Sequence, residues 1–256
     1  TQLEIEKQPK HNITSTIYNA VLPEKAYEPV TIPKTDKILT RLHEIATEKG
    51  FSPSSLTNYI RNPLQFYMQR ILRINEADEV EENIAVNTLG TIIHNALEEL
   101  YTPYLNQYLA LHHIETMETK IDEVILKHFK EIYKEGEITK GKNLLAFEVA
   151  KRNVYNFLQL EKKDIEEGQA IKVVLLEASL SCEIEVKSLP FPIKIAGKVD
   201  RIEERNGAIR IIDYKTGKVL GNSLKINDFT HLTTDIKNEK IIQLLCYALM
   251  FENHEL

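Results

Sequence analysis

The chain has 256 residues, 43% hydrophobic and 27% charged, which suits one large globular domain or two small ones. A net charge of −6 excludes a generally basic nucleic-acid-coating protein but leaves room for a local basic track. No apolar run reaches the length of a membrane span and there is no signal-peptide pattern. Cys182 and Cys246 are too few for a disulfide framework or a four-thiolate metal site, as expected of a cytoplasmic protein. The start at Thr1 and the finish inside a helical pattern are those expected of a piece of a longer chain.

Residues 1–34 mix Pro9, Pro23, Pro29 and Pro33 with short β-prone runs and read as an extended lead-in. A first helix is predicted from Thr35 to Lys49, stopped by Gly50, which closes a lead-in part of residues 1–50. Residues 51–168 read as a helical part. In FSPSSLTNYIRNPLQFYMQRILRI, Ser52-Pro53 starts a helix and Asn62-Pro63 breaks the pattern in two. Leu56, Tyr59 and Ile60, then Phe66, Tyr67, Ile71 and Leu72, recur at helical spacing and are expected to pack. Arg61, Gln69, Arg70 and Arg73 are either phosphate contacts or a solvated face.

Residues 75–86 are acidic and read as a loop. The helix pattern that follows, LGTIIHNALEELYTPYL, carries a broad apolar stripe from Leu89 to Tyr104, with His94 at its border and Glu98 one turn on. A histidine there is either a satisfied structural residue or a metal ligand. Two more helices are expected at about 109–134 and 143–166, ending near Gly168.

From Ile171 the period becomes strand-like, opening a third part over residues 169–256. IKVVLLEASLSCEIEV precedes a Pro-bounded turn; IKIAGKVDRIEE and AIRIIDYK then flank Asn206-Gly207. Asn-Gly between β-branched runs signals a two-residue type I′ turn, which requires positive φ at both positions and fixes the register. Arg205 then faces Ala208, Ile202 faces Ile211, and Asp200 lands opposite Asp213, with Lys215 on the same face. Two carboxylates about 4.5–5.5 Å apart repel, and call for a cation or a proton. Asp, Asp and Lys on adjacent strands suit a hard divalent ion and phosphodiester cleavage. Glu177, which interrupts an apolar run, either faces this pocket or lies on a strand surface. Lys194, Lys198, Arg201, Arg205, Arg210, Lys215 and Lys218 gather positive charge around it, and Lys198 and Arg201 join Arg61 and Arg70 as candidate DNA-phosphate contacts. In the last helix, NEKIIQLLCYALMF, Gln243 and Tyr247 share a face.

These pieces in order, SPSSLTNYIRNPLQFYMQRIL, GTIIH, GKVDR, IIDYKTGK and QLLCY, resemble the RecB/AddB/Cas4-like exonuclease branch of the PD-(D/E)XK nuclease superfamily over residues 52–250. The resemblance implies an α/β fold: a restriction-endonuclease-like core, a mixed sheet with three antiparallel strands and flanking helices, plus an N-terminal helical layer. It implies a Mg²⁺ or Mn²⁺ site made by His94, Asp200, Asp213 and the backbone carbonyl of Tyr214, with Lys215 catalytic. Gln243 and Tyr247 match the QxxxY motif, linked to DNA handling and pocket support, and Glu177 matches an acidic position on the first core strand. Many relatives carry a cysteine, the first ligand of an iron–sulfur cluster, where this chain has Asn62, so no cluster is expected. The family core also ends with a strand after the QxxxY helix, and none is visible here. The expected function is metal-dependent DNA hydrolysis, as the nuclease part of an AddB-like helicase–nuclease in recombination and repair. DNA and a helicase subunit or upstream domain are the expected partners, with no membrane. The alternative is an inactive DNA-binding or scaffold subunit that kept the fold.

Overall fold

The computed structural model describes residues 30–75, 84–133, 138–217, 219, 221–226 and 229–253. Expectations for residues 1–29, and for most of the acidic segment before the His94 helix, lie outside these. The chain divides into two compact units, residues 1–35 and 36–256. In the first, the described residues form neither helix nor strand, and the Thr35 N–H donates to the Pro33 carbonyl at 3.0 Å.

In the second unit, start and stop signals in the sequence become caps. Helix α1 (Asp36–Glu44) runs into a π turn, Ile45–Lys49, that ends at Gly50 with φ 83°. A Cβ on Gly50 would stand 2.8 Å from the Ala196 Cβ, so close approach as well as backbone angle demands glycine. Ser52 Oγ accepts from the Ser55 N–H at 3.1 Å to cap α2 (Pro53–Arg61). Asn62, held extended at φ −155° before Pro63, caps α3 (Pro63–Phe66) by accepting from the Gln65 N–H. A π turn, Tyr67–Ile71, continues α3. Helices α4 (Val86–Tyr101), α5 (Leu111–Ile132) and α6 (Gly141–Glu166) each bury one stripe.

Strands β1 (Ile171–Ile184), β2 (Ile193–Arg205) and β3 (Ala208–Ile212) form an antiparallel sheet in that order. The hairpin register is the expected one: Arg205 pairs with Ala208 and Ile202 with Ile211, around Asn206 at φ 52° and Gly207 at φ 81°. Among the described residues the expected mixed character amounts to one isolated parallel bridge, Phe51 to Ile195. Helix α7 (Glu239–Glu252) closes the fold. Leu176 and Ile212 pack with the α4–α6 cluster, whereas Leu175 and Ile211 pack with the α7 cluster. Since side chains alternate, helices cover both faces of the sheet, and all of residues 199–203 on β2 are buried.

That double cover corrects the expectation for Arg201. It is not at the surface for a phosphate: it is fully buried, with Nη2 2.6 Å from Glu161 and 2.5 Å from Glu203. Its guanidinium lies 4.7 Å from the centre of the Tyr101 ring, and the Tyr101 hydroxyl donates to Glu161. Arg205 extends the network to Glu203 at 2.9 Å and Asp164 at 2.5 Å, tying α6 to β2. No helix among the described residues is long and apolar enough to cross a membrane.

Candidate metal centre

Asp200 lies at the middle of the sheet, one residue before the Arg201–Ile212 pair that ends the hairpin ladder. On its other side, the pairs Leu176–Arg201 and Ala178–Val199 bracket Glu177, which therefore stands across from Asp200. Glu177 has φ 46°, a left-handed conformation that costs a non-glycine residue about 1–2 kcal/mol. Strain of this kind collects where a side chain must be aimed.

His94 comes to the pair from α4. Its Nδ1 is 3.6 Å from Glu177 Oε1 and 3.6 Å from Asp200 Oδ1. The Nε2 is 3.1 Å from the Tyr214 carbonyl oxygen, and the Tyr214 ring meets the imidazole edge-on at 5.6 Å. The Tyr214 N–H donates to Asp200 Oδ2 at 2.6 Å, so one carboxylate oxygen is fixed while the other faces His94. One ligand atom each from His94, Glu177 and Asp200 lie within 4.8 Å of one another.

Asp213 follows β3 and stands outside that triplet. Lys215 Nζ pairs with its Oδ2, and Gln243 Nε2 donates to its Oδ1 at 3.0 Å. Gln243 also contacts the Tyr247 hydroxyl at 2.6 Å, so the two QxxxY residues act as one bracket under Asp213. Lys198 Nζ, 2.8 Å from Glu177 Oε2, completes the surroundings.

The electrostatics follow from these contacts. Burial alone would lower the His94 pKa, but the neighbouring Asp200 and Glu177 carboxylates outweigh it and raise it to about 10. Burial likewise opposes ionisation of Glu177, yet His94 and Lys198 bring its pKa below the ordinary value. For Asp213, burial with help from the Asp200 charge wins over Lys215, and its pKa is raised.

The expected site residues are therefore divided. His94, Asp200 and Glu177 come together, with the Tyr214 carbonyl on the far nitrogen of His94; Asp213, Lys215, Gln243 and Tyr247 form an adjoining group. Glu177 takes the place in the triplet that Asp213 was expected to fill. Arg61 is paired with Glu239, and Lys198 with Glu177. Arg70 lines a separate pocket with Arg41 and Lys49, two residues that carried no signal in the sequence.

Residues 50–256 match the PD-(D/E)XK nuclease superfamily. The chain belongs to that superfamily. It is also similar to uncharacterized proteins of Rickettsia: 24% identical over 74% of the chain and 22% of the R. conorii protein, 25% over 69% and 20% for R. typhi, and 26% over 74% and 21% for R. bellii. The chain thus spans about a fifth of the length of these relatives. PD-(D/E)XK membership supports a nuclease-type function, and nucleases of this superfamily use divalent metals. The donor set fits such an ion: two carboxylates and an imidazole converge, and Glu177 Oε1 is buried without a hydrogen-bond partner.

Proposed function

We propose that this protein is a Mg²⁺- or Mn²⁺-dependent deoxyribonuclease. The observation that carries the reading is the convergence of His94, Glu177 and Asp200 beside the Asp213–Lys215 pair. His94, Glu177 and Asp200 would hold the ion, with Asp213 as a further ligand once Lys215 leaves its carboxylate. When bound, the ion supplies Lewis acidity toward a phosphoryl oxygen and a more acidic water.

The remaining work falls to the chain's own groups. Lys215, over a third exposed, is free to leave Asp213 and orient the attacking water or meet charge developing on the phosphate. Gln243 and Tyr247 keep the Asp213 carboxylate aimed while Lys215 moves. Tyr214 fixes Asp200 by its N–H and His94 by its carbonyl, so one backbone unit sets the angle between two ligands. Lys198 balances the charge of Glu177.

The finer role we propose is an exonuclease that forms the nuclease part of a longer AddB-like helicase–nuclease in recombination and repair. The resemblance in motif order and the small share of the relatives that the chain spans support it. Linear single- and double-stranded DNA labelled at either end, incubated with Mg²⁺ or Mn²⁺, tests this reading. Release of labelled mono- or short oligonucleotides, stopped by EDTA, is expected. Intact DNA under every metal condition would overturn it.

A further inference from the structure

A second, chemically different concavity lies where α1, its π turn and the α3 segment meet the sheet. It has a volume of about 480 Å³ and is lined by Arg41, Lys49, Arg70 and Arg73 together with Phe51 and Phe66, and by no acidic residue. Arg41 is paired with Glu44 at 2.8 Å, but Lys49, Arg70 and Arg73 have no ion-pair partner among the described residues, and all three are exposed. Unpaired cations converging on one concavity form an anion site where nothing among the described residues neutralises them. The Phe51 and Phe66 rings lie 29° from parallel with centroids 6.5 Å apart, which adds an apolar wall. Cations beside aromatic rings are the combination that grips single-stranded nucleic acid, phosphate on the charge and base on the ring. The volume suits one nucleotide and is too small for a duplex.

The topology connects this pocket to the metal centre. Phe51 pairs with Lys194 and Ala196 along the edge of β2 that β3 leaves free. Asp213, at the end of β3, belongs to the same edge. From Ile195 to Asp200 is five residues along β2, roughly 16 Å at ~3.3 Å per residue. A few nucleotides of an extended strand cover that span.

We propose that this pocket is a nucleotide-binding subsite for an unpaired DNA strand, holding a nucleotide a few positions from the phosphate at the metal centre. The inference rests on the deoxyribonuclease reading for its substrate, but its test reads binding and not cleavage. Lys49→Glu/Arg73→Glu changes two exposed, unpaired side chains, and Lys120→Glu/Lys130→Glu, on exposed positions of α5, makes the same change in net charge elsewhere. Affinity for a labelled 20-mer oligothymidylate is measured by fluorescence anisotropy over a salt series in EDTA, with a blunt duplex as the second probe and melting temperature as the folding control.

The pocket pair is expected to weaken single-strand binding about tenfold or more, and to flatten the salt slope by roughly 1.4 for two lost phosphate contacts at ~0.7 each. Duplex binding and the α5 control pair should change little. Equal losses for both pairs, equal losses for both probes, or unchanged single-strand affinity would each overturn the subsite. Wild-type protein that binds the strand through this pocket yet never cuts DNA would refute the proposed activity and leave the subsite standing.

Discussion

Replacing Arg201 by methionine separates its two readings, phosphate contact and buried structural cation. Arg201 and Glu203 are fully buried and Glu161 is 2% exposed, so the substitution strands carboxylates inside the protein. Glu203 keeps Arg205 at 2.9 Å and Arg210 at 3.6 Å; among the described residues Glu161 keeps only the Tyr101 hydroxyl. Breaking a buried pair from one side costs about 3–5 kcal/mol, which at ~2–4 °C per kcal/mol predicts a fall of roughly 6–20 °C in melting temperature. Burial already raises the Glu161 pKa against the pull of Arg201, and removing Arg201 raises it further. A protonated, neutral Glu161 is tolerated inside, so the deficit should shrink as pH falls from 8 toward 5. Glu161→Gln in the Arg201→Met background should recover part of the loss at pH 8 and abolish that pH dependence. Thermal melts across pH, with DNA affinity in parallel, are the assay. A melting temperature within 2 °C of wild type (well under the ~6–20 °C expected) alongside weakened DNA binding would make Arg201 a phosphate contact and not a buried structural cation.

Other outcomes follow from the metal centre. Glu177→Gly relieves the left-handed backbone at φ 46° but removes a ligand, so stability should hold or rise by up to ~1–2 kcal/mol while Mn²⁺ affinity falls; a calorimetric titration and a melt on one sample check both. His94 has a folded-state pKa of about 10 against an ordinary 6.5, so its contribution to stability in EDTA is complete below about pH 6.5 and lost as pH rises through about 10. Metal needs the neutral imidazole, so Mn²⁺ affinity should climb over the same window with proton release; affinity flat from pH 7 to 9 would remove His94 from the ligand set. Lys215→Ala should leave Mn²⁺ affinity nearly intact while slowing single-turnover cleavage, because its role is at the water or the transition state. Loss of metal affinity in that variant would show that Lys215 acts by holding Asp213 in place.

The hairpin was legible because Asn206-Gly207 admits one turn and that turn admits one register. The breaks at Gly50 and Asn62-Pro63 were legible because glycine and proline restrict backbone angles locally. His94 was ambiguous by itself, since nothing in an amphipathic stripe says what stands opposite its edge; the resemblance supplied that. Arg201 was misplaced because alternation assigns charged positions to solvent only when one face of a sheet is wet, and helices cover both faces of this one. The prominence of Glu177 depends on a positive φ at a non-glycine residue, which composition does not signal. Arg41 and Lys49 look like an ordinary polar helix face until α1 is laid beside the α3 segment.

In the proposed mechanism His94, Glu177 and Asp200 hold one catalytic divalent ion. Calorimetric titration of Mn²⁺ into wild type, Glu177→Gln and Asp200→Asn, with cleavage of end-labelled DNA followed on the same preparations, tests it most directly. One site is expected in the wild type, with strongly weakened binding in both variants and cleavage lost in step with the metal. Wild-type Mn²⁺ affinity in Asp200→Asn, or cleavage that persists after metal binding is lost, would rule out this metal site.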